Sequence, residues 1–312
     1  MENNTINILF LGGAKRVSIG ERFIEAGAKL GKTVQLFSYE LDDYVPISAI
    51  ATIIVGLRWK DSNLFEHLKE VVATHQIDII VPFLDPSTVV AAKLKEQLPT
   101  VYVPVSEEKI CEIFFNKATA NDWFLANNFP VPHQDLTHFP LIAKPIRGSA
   151  SQGIRKLNHI TDLSQFLVSH DECDYLIQGF ITGSEYTVDC YVGENGEVLS
   201  VVPRKRIETA GGEVTKSVTE KDETMIAIAT EVLQRAGFKG AITIQFLKDE
   251  TGLYIMEINP RFGGGVIASI EAGADSPMFL LKDFLAIENQ PVYDWRDKLL
   301  MMRANREFFR VG

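Results

Sequence analysis

The stretch Leu253-Tyr-Ile-Met-Glu-Ile-Asn-Pro-Arg-Phe-Gly-Gly-Gly265 carries the strongest indication of the fold. It begins as an apolar strand, and a polar, glycine-containing turn joins it to a second strand-like run over residues 241–247, which predicts an antiparallel hairpin. In an extended strand Glu257 and Asn259 point to the same face, and the hairpin places Gln245 beside them. The sequence therefore predicts a group of three polar side chains on one face of a hairpin.

These three side chains are a candidate metal site. One carboxylate and two amides offer oxygen atoms, and Mg²⁺ favours a few protein oxygens, with phosphates and waters completing its octahedron. Arg261 follows the strand-ending Pro260 and is expected to face the same space, where it could neutralise charge on a transferring phosphoryl group. The glycines after Phe262 predict a helix start that could bind an anion. A surface Glu/Asn pair with an arginine beside it by chance is the alternative.

A second polar segment is Ala143-Lys-Pro-Ile-Arg-Gly-Ser-Ala-Ser-Gln-Gly153. It places Lys144 at the end of a predicted strand and follows it with a loop of Gly and Ser. Backbone N–H groups of such a loop can converge on phosphate oxygens without side chains intruding. Lys144 would add a positive charge to the same phosphates. The alternative is a flexible hairpin loop that merely contains Ser and Gly.

The third segment is Tyr175-Leu-Ile-Gln-Gly-Phe-Ile-Thr-Gly-Ser-Glu-Tyr-Thr-Val-Asp189. An apolar strand ends at Gln178, a connection with two glycines follows, and a second strand opens with Glu185. Backbone groups at the strand exit could bind an adenine edge, and a carboxylate a few residues later could accept both ribose hydroxyls. An ordinary connection between two strands is the alternative.

The first hundred residues alternate strand and helix patterns. Helical spacing at residues 19–30 and 64–72 separates apolar runs that predict strands at residues 6–11, 33–37, 77–81 and 101–103. This alternation predicts a doubly wound parallel sheet. The turn Gly12-Gly13-Ala-Lys15 lacks the spacing of a dinucleotide-binding fingerprint. A backbone role for its glycines is therefore the main interpretation, and a nicotinamide oxidoreductase ranks last among the alternatives.

The pattern changes near residue 105. Ser106 is predicted to cap a helix, with Glu107 and Glu108 favouring its first turn. Further helices are predicted at residues 118–127, 163–168 and 222–236. Strands of antiparallel type are predicted at residues 140–145, 175–178, 186–192 and 198–202. The Asn195-Gly196 pair predicts a hairpin turn between the last two of them.

The composition excludes several classes of protein. A net charge of −10 over 312 residues argues against a generic nucleic-acid binder, which needs a basic surface. No apolar run approaches the roughly 20 residues of a membrane span, and the N-terminus lacks the basic start of a signal peptide, so a cytoplasmic location is expected. Cys111, Cys173 and Cys190 form no CxxC pair, which argues against a disulfide framework or a zinc site.

A basic segment, Arg204-Lys-Arg206, follows a predicted core strand. Arg204 and Arg206 are the best candidates for holding an acidic substrate, because guanidinium groups pair well with carboxylates. A solvated turn with basic residues is an almost equal alternative. Loops near residues 204–215 and 263–276 are expected to supply the other substrate contacts.

Taken in chain order, these segments resemble the ATP-grasp superfamily, and in particular the ATP-binding halves of the carbamoyl-phosphate synthase large subunit and related carboxylate–amine ligases. The resemblance covers almost the whole chain. It implies an α/β fold (α+β overall) in three parts. These are a pre-ATP-grasp domain with the doubly wound parallel sheet at residues 1–104, linker helices and a lid lobe at 105–182, and a C-terminal lobe with antiparallel strands and the metal site at 183–312.

The resemblance also implies a role for each matching residue. Lys144 and Arg261 are the implied catalytic residues, and Glu257 is the implied bridge between two Mg²⁺ ions, for which Mn²⁺ could substitute. The other implied metal ligands are Gln245 and Asn259. The implied ATP-binding residues are Lys117 and Lys144 on the phosphates, Gly148, Ser149, Ala150, Ser151 and Gly153 in the lid loop, Gln178, Gly179, Phe180 and Ile181 at the adenine, and Glu185 on the ribose.

Two residues depart from the family pattern. Gln178 stands where many members carry Glu, which implies that adenine recognition relies more on the backbone. Gln245 stands where many relatives carry Asp or Glu, but the synthase-like branch uses Gln there, so this departure favours that branch. With one grasp unit and no ammonia-handling domain, carbamoyl phosphate production by this chain alone is not expected.

The implied reaction is an ATP-dependent ligation. The γ-phosphoryl group passes to a carboxylate, and an amine then attacks the acyl phosphate while the closed lid loop protects it from water. The implied cofactors are ATP and Mg²⁺, and the partners are a small-molecule carboxylate and an amine, with no nucleic acid, no membrane and room for a homodimer. The alternatives are an ATP-grasp phosphotransferase that releases a phosphorylated product and a non-catalytic ATP-binding subunit.

Overall fold

The computed structural model describes residues 4–148 and 152–309. Its first sheet contains β1 (Thr5–Leu11), β2 (Thr33–Glu40), β3 (Ala51–Val55) and β4 (Ile79–Pro82). All neighbouring strands pair in parallel, in the order β3-β2-β1-β4. The predicted strand at residues 101–103 contributes only one bridge, between Tyr102 and Ile79.

Helices cover both faces of this sheet. They are α1 (Val17–Lys29), α2 (Leu64–His75) and α3 (Asp85–Gln97). Side chains alternate along β1, so that Phe10 packs with Phe23 of α1 on one face, whereas Leu11 packs with Leu68 of α2 on the other. The predicted doubly wound sheet is confirmed.

The Gly12-Gly13 turn after β1 is closed by a carboxylate of the protein itself. Glu40, at the end of β2, accepts hydrogen bonds from the backbone N–H groups of Gly13 and Ala14 and from the Ser38 hydroxyl, the last at 2.6 Å. Burial raises the pKa of Glu40, and these hydrogen bonds lower it only in part. Because these N–H groups are already used, the turn offers them to no pyrophosphate, and the nicotinamide interpretation loses its support.

Two helices lead from the first sheet to the second, namely α4 (Glu108–Phe115) and α5 (Lys117–Ala126). The N-cap of α4 is Glu107, so the predicted cap at Ser106 is wrong. The buried Ser106 hydroxyl instead accepts a hydrogen bond from the Lys239 backbone N–H at 2.9 Å, which ties this connection to the C-terminal part. Asn116 caps α5 with its side-chain oxygen and so holds Lys117 at the first helical position.

The second sheet is small. It contains β5 (Leu141–Pro145), β6 (Arg155–Leu157) and β7 (Tyr175–Gly179), in the antiparallel order β6-β5-β7. Helix α6 (Ile160–Ser169) covers one face, and Phe166 of this helix packs with Leu141 and Ile177 of the strands. A three-residue 3₁₀ helix, Glu172–Asp174, precedes β7, and a four-residue 3₁₀ helix, Pro46–Ala49, precedes β3.

The third sheet is antiparallel and has the order β12-β11-β8-β9-β10-β13. Its strands are β8 (Ser184–Val192), β9 (Val198–Ala210), β10 (Glu213–Thr219), β11 (Gly240–Lys248), β12 (Leu253–Asn259) and β13 (Leu300–Met302). The helices are α7 (Glu223–Ala236), α8 (Ile267–Glu271) and α9 (Ser276–Phe284). Each of the ranges 1–104, 105–182 and 183–312 therefore contains one sheet.

Strand β9 is longer than the sequence indicated. The run expected to end at residue 202 continues to Ala210, so Arg204 and Arg206 lie within a strand and not in a solvated turn. Strand β10 pairs with this extension and supplies the neighbour that its backbone needs. Among the residues that the structure describes, no helix is long and apolar enough to cross a membrane.

Candidate active site

The strand pair β11–β12 brings the three predicted metal ligands together. Gln245 lies directly opposite Glu257, with a register irregularity just after Gln245. The Asn259 side-chain amide donates a hydrogen bond to Glu257 Oε1 at 3.0 Å. Lys117 Nζ lies 3.6 Å from Glu257 Oε2. Glu257 is therefore at the centre of a polar group contributed by both strands and by α5.

Lys117 connects this group to the predicted lid loop. Its Nζ donates a hydrogen bond to the Gly148 carbonyl at 2.8 Å. Gly148 and Gly153 both have positive φ, 131° and 75°, a conformation that favours glycine. Ser149, Ala150 and Ser151, also assigned to the loop, lie outside the described residues.

Lys144 is a buried cation on β5, with 6% of its surface exposed. Its Nζ donates to Gln178 Oε1 at 3.3 Å, and the Gln178 amide in turn donates to Asn121 Oδ1 of α5 at 2.6 Å. Burial, the main cause, and repulsion from Lys117 lower the pKa of Lys144 to about 8, although attraction to Glu257 acts in the opposite direction. Lys144 can therefore change its charge near neutral pH.

A cleft of about 410 Å³ lies between the second and third sheets. Five predicted nucleotide residues in it come from the second sheet and its neighbours: Lys117, Lys144, Gly148, Phe180 and Ile181. From the third sheet Glu185, Gln245 and Glu257 also line it.

Two residues of the predicted adenine hinge lie behind the wall of this cleft. The side chain of Gln178 is buried between Lys144 and Asn121, because strand alternation turns it toward α5. The backbone N–H of Gly179 donates to the His133 carbonyl at 2.8 Å. Phe180 and Ile181 are left to face the cleft.

Arg206 lies between this cleft and a second one. Its Nε lies 3.2 Å from Glu185 Oε2. The side chain of Glu185 is 60% exposed, whereas that of Arg206 is only 14% exposed. The other contacts of the guanidinium are long, at 3.5 Å to Thr187 Oγ1 and 3.4 Å to the Gly212 carbonyl. Arg206 therefore has donors that a ligand could use.

The second cleft has a volume of about 390 Å³. It shares four wall residues with the first cleft: Arg206, Gly212, Gln245 and Glu257. The rest of its polar wall is formed by Arg16, Asp85, Thr187, Arg204, Glu213, Thr243, Asn259 and Arg261. Two of the predicted metal ligands, Gln245 and Glu257, thus lie where the two clefts meet, and Asn259 lines the second cleft.

Arg261 faces the second cleft but already has an anionic partner. Its Nε donates to Asp85 Oδ1 at 2.5 Å, and its NH1 group donates to the Phe262 carbonyl at 3.2 Å. Asp85 is the first residue of α3, just beyond the end of β4. Asp85 was not predicted as a site residue, although residues just after the carboxyl end of a parallel strand often line the site in such sheets.

Arg204 has a position different from that expected of a substrate residue. Only 1% of its side chain is exposed, and it donates to both Asp189 oxygens at 2.6 and 3.1 Å and to Ser217 Oγ at 3.4 Å. Ser269 donates a further hydrogen bond to Asp189 at 2.6 Å. This network lies under the floor of the second cleft and uses the donors of Arg204.

The glycines after Phe262 allow the floor of this cleft to come close to the network. A Cβ atom on Gly264 would lie 2.6 Å from Glu213 Oε2, and one on Gly265 would lie 2.7 Å from Arg204 NH1. The following helix, α8, has only five residues. The glycines therefore serve close packing. The helix predicted after them begins at Ile267 but is short, and anion binding at its start stays a prediction.

The fold and part of the sequence can be compared with known proteins. Residues 171–307 match a family described as ATP-grasp in the biosynthetic pathway with Ter operon. The chain has the ATP-grasp fold. The biotin carboxylase domain of Hydrogenobacter thermophilus 2-oxoglutarate carboxylase is similar with a TM-score of 0.75 and 16% identity, over 93% of this chain and 72% of that one. Staphylococcus aureus N5-carboxyaminoimidazole synthetase has a TM-score of 0.74 and 16% identity, over 96% of this chain and 82% of the synthetase.

Curated relatives match over a shorter span. A D-alanine–D-alanine ligase of Syntrophotalea carbinolica is 28% identical over 137 residues, which are 40% of this chain and 45% of the ligase. The carbamoyl phosphate synthase large chain of Caldanaerobacter subterraneus is 30% identical over 136 residues, 39% of this chain and 13% of the synthase. The predicted resemblance to ATP-grasp proteins, including the synthase large chain, is confirmed, and the chain spans about half the length of the ligase.

Proposed function

We propose that the protein is an ATP- and Mg²⁺-dependent ligase that activates a carboxylate as an acyl phosphate for attack by an amine. The observation that carries this proposal is the shared wall of the two clefts, formed by Arg206, Gly212, Gln245 and Glu257. Phosphoryl transfer from one bound molecule to another needs the two reacting groups in contact. A nucleotide in the first cleft and an acid in the second would meet at this wall.

We assign the first cleft to ATP. Lys117 lies 3.6 Å from Glu257, Lys144 is attracted to the same carboxylate, and both line the cleft, so they suit the phosphates. Phe180 and Ile181 offer an apolar wall to the adenine, and the exposed carboxylate of Glu185 suits the ribose hydroxyls. The structure solved for the Staphylococcus aureus synthetase is a complex with ADP.

Gln245, Glu257 and Asn259 are the residues that would hold Mg²⁺, or Mn²⁺ in its place. One carboxylate and two amides give oxygen donors without a full protein cage, which suits an ion that also binds phosphates and water. When bound, the ion neutralises charge on the nucleotide phosphates. Lys117, 3.6 Å from Glu257, already supplies one positive charge at the same place.

The side chains of the protein have three further tasks in this reaction. They must reduce repulsion between two anions, orient the acid and keep water away. Arg206 is suited to the first task, since it borders both clefts and has long contacts with its neighbours. Arg261, held by Asp85, is suited to orienting the acid.

Within this reaction class, a synthase-like reaction remains a prediction, as does the homodimer. Gln245 favours the synthase-like branch. The relatives also include ligases named for D-alanine, however, and the alignments with the synthases cover only 13% of those chains.

The solved Hydrogenobacter domain is described as a dimer. We propose the same for this chain, and sedimentation would test it.

The test is ADP and phosphate release screened over amino acids, hydroxy acids and bicarbonate, each with and without amines. A ligase releases phosphate only when both acid and amine are present, whereas a phosphotransferase releases ADP with one substrate. Glu257→Ala and Lys144→Ala should each abolish ADP formation. Glu250→Ala, at the exposed turn of the same hairpin, should leave it unchanged. Tight ATP binding without ADP release for any acid would favour a non-catalytic subunit.

A further inference from the structure

Arg16 is a cation of the second cleft that comes from the first sheet's side of the molecule. It follows the Gly12-Gly13 turn and immediately precedes α1. Its side chain is 17% exposed, and the one hydrogen bond that its guanidinium makes to a described residue runs from NH2 to Glu213 Oε1 at 3.2 Å. Since a guanidinium has five N–H donors, Arg16 retains donors for a ligand in the cleft that it lines.

The negative charge of Glu213 is shared between Arg16 and a second arginine. Its second oxygen, Oε2, pairs with NH1 of Arg303 at 2.9 Å, and Arg303 also donates to the Gly264 carbonyl. Burial raises the pKa of Glu213, but the two arginines outweigh it and lower the pKa below its usual value, so the carboxylate is ionised at neutral pH. One negative charge therefore faces two positive charges, and this group has a net charge of +1.

Two other arginines of the cleft differ from Arg16 in this respect. Arg261 is matched by Asp85, and Arg204 is matched by Asp189. Each of these pairs is neutral. Arg303 is not among the residues that line the cleft, so its charge acts on Glu213 from outside and leaves Arg16 available.

Arg16 and Arg206 both line the second cleft and contact consecutive residues of its wall. Arg206 donates to the carbonyl of Gly212, and Arg16 pairs with the side chain of Glu213. Gly212 and Glu213 are consecutive residues, about 3.8 Å apart between their Cα atoms. The two guanidinium groups are thus attached to neighbouring points of the β9–β10 connection.

We propose that the second cleft binds a carboxylic acid that carries a second anionic group, either another carboxylate or a phosphate-type group. This rests on the proposed function: the carboxylate to be activated lies at the shared wall near Arg206, and the second anion pairs with Arg16. A molecule the size of bicarbonate would leave most of about 390 Å³ empty. An amino group at this end would meet a net positive charge.

Matched acids test this proposal. The dicarboxylates from malonate to adipate, and the monoamide of each, which has nearly the same size, are titrated into the full chain saturated with Mg·ADP. Phosphonoacetate and 3-phosphonopropionate are titrated in the same way to test whether the second anion is of the phosphate type. At least one dianion should bind about tenfold or more tightly than its monoamide, as expected for a charge-assisted hydrogen bond. Equal binding, or no binding of any acid, overturns the proposal.

Substitutions test whether Arg16 causes the preference for the dianion over its monoamide. Arg16→Gln should reduce the preference for the dianion to less than about threefold while Mg·ADP still binds. Arg22→Gln, a change farther along α1 that does not line the cleft, should keep it. A full preference retained by Arg16→Gln overturns the assignment. If the unaltered protein did not bind Mg·ADP, that result would count against the proposed function. Failure of the proposed function and failure of the acid assignment are therefore distinguishable.

Discussion

At the scale of single residues, the chemistry of the site depends on how each cation is partnered. Lys144 is buried beside a neutral partner, Gln178, whereas Lys117 has the carboxylate of Glu257 nearby. Burial without a directly bonded anion disfavours the charged form of a lysine. The neutral side chain of Gln178 therefore bears on the charge of Lys144.

We expect nucleotide affinity to fall as the pH rises above about 8. The pKa of Lys144 lies near this value, so the side chain is positively charged below it and neutral above it, and only the charged form pairs with phosphates. The dissociation constant of ADP, measured at constant ionic strength from pH 7 to 9.5, should increase by up to about tenfold per pH unit in this range.

Lys144→Met is the matched variant for this experiment. It should bind ADP more weakly at pH 7 and show no such rise between pH 7.5 and 9.5. The same pH dependence in Lys144→Met would mean that another group titrates.

At the scale of elements, the third sheet depends on a buried ion pair between neighbouring strands. Arg204 of β9 and Asp189 of β8 are bonded twice, and almost nothing of either side chain reaches solvent. Buried pairs of this kind are costly to break on one side, because the remaining charge stays without a partner.

Arg204→Met should therefore destabilise the protein by roughly 3–5 kcal/mol, which chemical denaturation measures. Lys216→Met removes an exposed pair with Glu208 in the same sheet and should cost less than about 1 kcal/mol. If Arg204→Met unfolded at the same denaturant concentration as Lys216→Met but lost acid binding, Arg204 would be a substrate residue after all.

At the scale of the whole molecule, the site is assembled from elements of all three sheets and their helices. Lys117 of α5 and Lys144 of β5 come from the middle part, and Glu257 comes from β12 of the third sheet. Asp85 at the start of α3 and Arg16 before α1 come from beside the first sheet. The two clefts they form meet at Arg206. An acid and a nucleotide are thus held by different parts of the chain and share one boundary.

Arg206→Met tests this boundary. Because Arg206 touches both clefts, we expect acid-dependent ADP formation to fall about 100-fold or more, in the range found for lost transition-state contacts. ADP binding should change far less. Lys205→Met, whose side chain belongs to the other face of β9, is the control and should keep its activity. Equal losses of ADP affinity and turnover would confine Arg206 to nucleotide binding.

Much of the backbone could be predicted from local patterns. The run at residues 6–11 predicted a buried parallel strand, and the apolar hairpin predicted the contact of Gln245 with Glu257 that the structure contains. Strand β3 was missed because it lies at the sheet edge with both faces partly exposed, so it lacks a clear burial pattern. The extension of β9 was missed because its exposed half carries charged residues that resemble a loop.

The sequence by itself determined the α/β fold and the hairpin with its three metal-ligand candidates. Each of these depends on residues that are close in the chain or follow a strand period. Only the tertiary structure decided which charges are matched. Arg261 pairs with Asp85, 176 positions away, and Arg16 pairs with Glu213, 197 positions away. A local pattern specifies the direction of a side chain, but its partner is known only once distant strands and helices have packed together.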